Sequence, residues 1–153
     1  MDSFTGYSRL CYGACEQIIT LYEGNKILEI EDGADPAKLS VIPNGIDYER
    51  FSKVVRDLNH PPTVALIGRV VPIKDVKTFI RACIILAENV PNLRVWIMGP
   101  TDEDEEYYLE CVEMIKNAKV AETIIFTGKV KIDDYLGQID VIALTSLSEA
   151  QPL

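Results

Sequence analysis

From Pro61 onward the chain alternates short apolar runs with stretches of helical period, the pattern of βαβ units around a parallel sheet. The first run is Thr63–Ile67, which stops at Gly68. After a loop containing Pro72, the residues Val76, Phe79, Ile80, Cys83, Ile84 and Ala87 recur at i, i+3, i+4, i+7, i+8 and i+11, so they share one face of a long helix. Residues 93–98 (LRVWIM) read as a second buried strand ending at Gly99-Pro100, and Tyr108, Cys111, Val112 and Ile115 then line a second helix. Residues 123–126 give a third strand. Ile132, Tyr135, Leu136 and Ile139 make a short helix, and residues 141–144 a fourth strand that runs into SLSEAQPL. Trp96, Tyr107 and Tyr108 are expected in the core or on helix flanks.

Upstream, residues 17–22 read as a strand, 24–31 as a short helix and 38–42 as an extended run that ends in Pro43-Asn44-Gly45, which is turn chemistry. The polar stretch 48–60 separates this part from the βαβ pattern. The expected organisation is therefore residues 1–45 as the end of one domain, 46–61 as a linker and 62–153 as an incomplete Rossmann-like α/β domain. Pro152 suits the first turn of a further helix, yet only Leu153 follows, so the unit is expected to be a fragment.

Composition narrows the function classes. With 15 Lys+Arg against 24 Asp+Glu the formal charge is −9, which disfavours non-specific binding to nucleic acid or to anionic membranes, since both rely on a positive field. Any anion site must be local. Cys11, Cys15, Cys83 and Cys111 form no CxxC pair and sit among apolar residues, as reduced thiols of a cytoplasmic protein do. No apolar run approaches the ~20 residues of a membrane helix, and the first residues do not read as a secretion signal.

In an open parallel sheet ligands bind beyond the carboxyl ends of the strands, so the segments GRVVPIKD, GPTDEDEE, TGKVKIDD and SLSEAQPL carry the candidate chemistry. Arg69 and Lys74 are two cations around a glycine and a proline, able to hold a diphosphate and neutralise it as it departs. The competing reading makes them solvated loop cations, paired with Asp75. Asp102 and Asp104 form a D-x-D, a spacing that can chelate a divalent metal, but the acid run also precedes a helix, where it complements the dipole and Thr101 can act as N-cap. The helix-start reading is the favoured one. His60, the only histidine, falls in the expected linker and reads as structural. Ser146 and Ser148 lack a nucleophile elbow, and neither a G-x-G-x-x-G nor a P-loop is present.

Taken in order and spacing, PNGID, GRVVPIKDVKTFIRA, IMGP, FTGKV and DVIALTSLSEAQPL resemble the C-terminal half of a family 4 retaining glycosyltransferase of the GT-B fold. With the upstream CYGACEQIITLYEGN the likeness is greatest to the PelF group, which builds the Pel exopolysaccharide. The resemblance implies a nucleotide-sugar donor, UDP-linked and of the UDP-glucose kind, transferred with retention to a polysaccharide acceptor, at the inner face of a membrane-bound polysaccharide synthase complex. It implies that Arg69, Lys74 and Glu149 act in catalysis. Gly68, Gly99, Lys129, Val130, Ala150 and Gln151 would then meet the donor, with residues 128–130 against the nucleobase. Glu149 matches the first glutamate of an E-x7-E motif whose second lies past Leu153, so the isolated chain is expected to show little turnover. Neither a metal nor a further cofactor is implied. The alternative class is a non-catalytic Rossmann-like binding module, and a metal-dependent D-x-D transferase is a third reading.

Overall fold

Runs of apolar residues flanked by glycine and proline become strands when both faces can be covered. In the computed structural model, which describes residues 15–20 and 23–149, the chain divides into two contact units, with Tyr48–Ser148 forming the larger. Its elements are α2 (Tyr48–Phe51), β3 (Thr63–Ile67), α3 (Val76–Ala87), β4 (Arg94–Met98), α4 (Glu105–Asn117), β5 (Ile124–Gly128), α5 (Asp133–Leu136) and β6 (Val141–Ile142). The strands form one parallel sheet in the order β5-β4-β3-β6, with Thr63 opposite Arg94 and Val64 opposite Val141. This is a Rossmann-like arrangement, with crossover helices between successive strands.

The sheet is covered on both faces because alternate residues of each strand point opposite ways. Leu66, Val95, Ile97 and Ile124 face α3 and α4, meeting Val76, Phe79, Ile80 and Cys83 of one and Tyr107, Cys111 and Ile115 of the other. On the opposite face Ala65, Trp96 and Met98 pack against Ile132, Tyr135 and Ile139, with the Trp96 and Tyr135 rings edge to face at 5.1 Å. Burial pushes the Cys83 and Cys111 thiols up to about 11, so both stay protonated at neutral pH and act as small hydrophobes. Cys15 is exposed, contrary to the reading that placed it among apolar residues, and Cys11 lies outside the described residues.

The helix α3 spans the predicted residues and buries the predicted face. It starts where it does because Asp75, held at φ 44, accepts the Thr78 N–H at 3.3 Å. In α4 the N-cap is Asp104, whose carboxylate accepts the Tyr107 N–H at 3.0 Å, and not Thr101 as the sequence suggested. The buried positions of α4 are Tyr107, Cys111 and Ile115, so its face is rotated towards Tyr107 and leaves Tyr108 and Val112 half-buried. The third helix shrinks to one turn, and β6 pairs over two residues, each about half exposed.

The segment 46–61, expected to link domains, belongs from Tyr48 onward to the larger unit. Arg50 is ion-paired with Asp133 of α5, and the Asp57 N–H donates to the Gly137 carbonyl at 2.9 Å. Arg56 reaches Asp140 at 2.9 Å, and Asp140 also accepts the Thr63 N–H at 2.9 Å. The His60 side chain is covered at the same end of the sheet, donating from Nδ1 to the Pro61 carbonyl at 2.8 Å. Of the described residues, the other unit holds 15–20, 23–47 and Glu149. Within it β1 (Ile18–Thr20) and β2 (Leu39–Val41) pair in parallel, joined through α1 (Glu23–Glu31), and Ile18, Ala34 and Leu39 are its buried cluster. Among the described residues no helix is long and apolar enough to cross a membrane.

Candidate donor site

Where parallel strands end side by side, the loops that follow them form a crevice. The exits of β3, β4 and β5 are stitched together by backbone hydrogen bonds. The Gly68 N–H donates to Met98 O at 2.9 Å, the Val70 N–H to Pro100 O at 3.0 Å and the Gly99 N–H to Gly128 O at 3.0 Å. Gly99 must be glycine for this to happen. Its φ is +155, and a Cβ there would collide with the Gly68 carbonyl.

A pocket of about 220 Å³ opens at these exits, lined by Gly68, Arg69, Gly99, Pro100, Lys129 and Val130 among others. Five of the residues singled out from the sequence, Gly68, Arg69, Gly99, Lys129 and Val130, line it, and Lys74 lies beside it, because a Cβ on Gly68 would sit 3.9 Å from Cδ and Cε of Lys74. The lysine stem therefore runs along the glycine. Its turn is held in place by the segment after β6, since the Thr145 hydroxyl donates to the Lys74 and Asp75 carbonyls at 3.1 and 3.0 Å and the Leu147 N–H to Ile73 O at 2.9 Å. Glu149 belongs to the other contact unit, and Ala150 and Gln151 lie outside the described residues.

Arg69 is paired, but not with Asp75. Its Nη1 donates to Glu103 Oε2 at 2.8 Å, while the Asp75 carboxylate caps α3. Asp104 is likewise engaged as the cap of α4, and among the described residues no three His, Cys, Asp or Glu side chains gather as a metal site. Sequence reasoning missed Glu103 and Thr145. The signal for Glu103 was present: an acid and a base follow neighbouring strands, and strand adjacency brings such loops together. Thr145 left no signal, because its partners are main-chain carbonyls 70 and 71 positions away in sequence.

A larger groove of about 540 Å³ lies beside α5, bordered by Arg50, Lys53, Asp57 and Asp133. Its Lys131 and Asp133 alternate along the chain with Val130 and Ile132 of the strand-exit pocket, and its Arg50 and Asp133 are committed to each other.

The family model "Glycosyl transferases group 1" matches residues 47–153, and one for a domain of unknown function (DUF3492) matches residues 1–37. A D-inositol 3-phosphate glycosyltransferase of Actinosynnema mirum is 29% identical over 133 residues, covering 76% of this chain and 32% of the relative. A UDP-Gal:alpha-D-GlcNAc-diphosphoundecaprenol alpha-1,3-galactosyltransferase of Escherichia coli is 28% identical over 152 residues, covering 90% and 38%. Among solved structures, Anabaena HepE in complex with UDP and glucose superposes with a TM-score of 0.77 at 18% identity, over 94% of this chain and 42% of that one. The chain thus spans between 32% and 38% of the length of these curated relatives and has the α/β fold of GT-B glycosyltransferases over the part it covers. With the strand-exit pocket inside the matched segment, the chain belongs to the group 1 glycosyl transferase family.

Proposed function

We propose that this chain carries the donor side of a retaining, PelF-like glycosyltransferase and binds a UDP-sugar in the pocket at the exits of β3, β4 and β5. The observation that carries the reading is a pocket lined by Arg69, Lys129, Gly68 and Gly99, with the stem of Lys74 beside Gly68, in a protein whose net charge is −9. Three cations gathered against that balance suit a polyanion. Arg69 and Lys74 hold the diphosphate and stabilise the charge that develops on it. Lys129 and Val130 border the nucleobase, and the two glycines let the donor approach the main chain. Glu149, Ala150 and Gln151 remain the residues that the resemblance gives to the donor sugar.

The Escherichia coli relative is named for a UDP-galactose donor and HepE was solved with UDP and glucose, which favours uridine as the base. We assign UDP-glucose as the donor, a growing exopolysaccharide as the acceptor, and the cytoplasmic face of a membrane-bound synthase as the place of work. In the transfer the bond from the sugar's anomeric carbon to the diphosphate breaks and one to an acceptor oxygen forms on the same face. The acceptor proton passes to the departing phosphate. The protein contributes orientation and charge stabilisation.

Calorimetric titration with UDP and UDP-glucose, with and without Mg²⁺, tests this on the chain and on Arg69→Ala and Lys74→Ala. Binding independent of the metal and weakened about tenfold or more by each substitution is expected, the cost of a charge-assisted hydrogen bond. Binding that neither substitution weakens would refute the assignment.

A further inference from the structure

Arg69 lines the pocket, yet its guanidinium is held by a carboxylate that does not. The 2.8 Å bond from Nη1 to Glu103 Oε2 crosses from the β3 loop to the β4 loop, which are neighbours because β3 and β4 pair in register and Val70 bonds to Pro100. The pocket wall includes Arg69 but not Glu103. The partner of the guanidinium thus lies outside the pocket wall.

We propose that Glu103 occupies the Arg69 guanidinium until the donor diphosphate replaces it, so that donor binding exchanges one anion for another on the same cation. The inference rests on the donor-pocket reading above. A guanidinium presents a planar fork suited to a carboxylate or a phosphate, and the donor approaches from the pocket side while Glu103 approaches from outside it.

Release costs little for two reasons. The two side chains are 52% and 42% exposed, so water replaces each partner as it leaves, and exposed pairs of this kind contribute little. Nor is Glu103 stranded. It immediately precedes Asp104, the N-cap of the 13-residue helix α4, whose dipole favours a carboxylate there. Asp104 keeps its own bond to the Tyr107 N–H throughout, so the helix does not unwind when the pair opens. A diphosphate brings more charge to the same cation than one carboxylate does and wins the exchange. Glu103 thus lowers donor affinity and holds Arg69 in reserve when no donor is present.

Calorimetry of the full chain with UDP reads the exchange directly. Glu103→Gln is expected to tighten UDP binding about two- to fivefold, or about 0.4–1 kcal/mol at 1.4 kcal/mol per tenfold. Asp102→Asn removes the same charge one residue earlier, from a side chain with no bond to Arg69, and is expected to leave affinity within about 1.5-fold. In an Arg69→Ala background Glu103→Gln is expected to change nothing. Equal tightening by Glu103→Gln and Asp102→Asn would mean general repulsion of the diphosphate and overturn the exchange. So would weakening or no change on Glu103→Gln while binding still depends on Arg69. If the unsubstituted chain binds no UDP, or Arg69→Ala leaves binding intact, the donor-pocket reading itself falls and the exchange falls with it.

Discussion

Gly99→Ala is the perturbation that the geometry of the strand exits makes most costly. Gly99 has φ +155, and a methyl placed there lies 2.7 Å from the Gly68 carbonyl carbon and nearer still to its oxygen. These are main-chain atoms and cannot rotate aside. To admit the methyl, β3 and β4 must part at their ends, which strains the Gly68 to Met98 and Val70 to Pro100 bonds, now 2.9 and 3.0 Å. Two backbone bonds at about 1 kcal/mol each, with about 1–3 kcal/mol for a side chain at a φ that favours glycine, make the expected loss about 3–5 kcal/mol. That is a large part of the ~5–15 kcal/mol that holds a typical domain together. Two other glycines calibrate it. At Gly68 a Cβ meets Lys74 at an ordinary 3.9 Å, so Gly68→Ala should shift stability by less than about 1 kcal/mol. Gly128 has φ +67 and nothing within 4 Å, so Gly128→Ala should cost only the left-handed strain of about 1–2 kcal/mol. Trp96, the only tryptophan, is buried in the larger unit and reports its urea unfolding by fluorescence. A midpoint lower by about 1–3 M is expected for Gly99→Ala. A midpoint indistinguishable from that of Gly68→Ala would refute the close-approach argument.

Two further outcomes follow from burial and charge. Phe79→Ala removes a side chain that is 2% exposed between α3 and the sheet and should cost about 3–5 kcal/mol by the same fluorescence measurement, whereas a loss below about 1 kcal/mol would mean the core closes over the cavity. The Thr63 N–H, helped by His60 and Arg56, holds the Asp140 carboxyl below its usual value against its desolvation, and Arg50 does the same for Asp133. A depressed carboxylate stabilises the fold fully above its unfolded value of about 4 and loses that contribution as pH falls through the folded value. Midpoints should therefore be insensitive to these groups above about pH 5 and fall below about pH 4, with a shallower fall in Asp140→Asn; an unchanged fall would show that Asp140 is not responsible.

Much of the fold was legible because it follows from local periodicity. Thr63–Ile67 and Val76–Ala87 lie where apolar spacing, Gly68 and Pro72 put them, since the hydrophobic face and the breakers are written within a few residues. Alternation of strands and helices was enough to expect a parallel sheet, and strand exits were enough to expect a site holding Arg69 and Lys74. The face of α4 was less legible. Tyr107 and Tyr108 are both aromatic, and only the position of the sheet decides which of them is buried.

The sequence by itself determined the element types, the parallel architecture and the short set of loops able to hold chemistry, because each depends on spacing along the chain. The tertiary structure alone decided which charges meet. Arg69 chose Glu103 over Asp75, Asp104 rather than Thr101 capped α4, Thr145 reached the Lys74 turn, and residues from Tyr48 on joined the larger unit through Arg50 and Asp57. Such pairings join residues up to 83 positions apart, and their geometry exists only once the register of β3 on β4 and of β3 on β6 has been set.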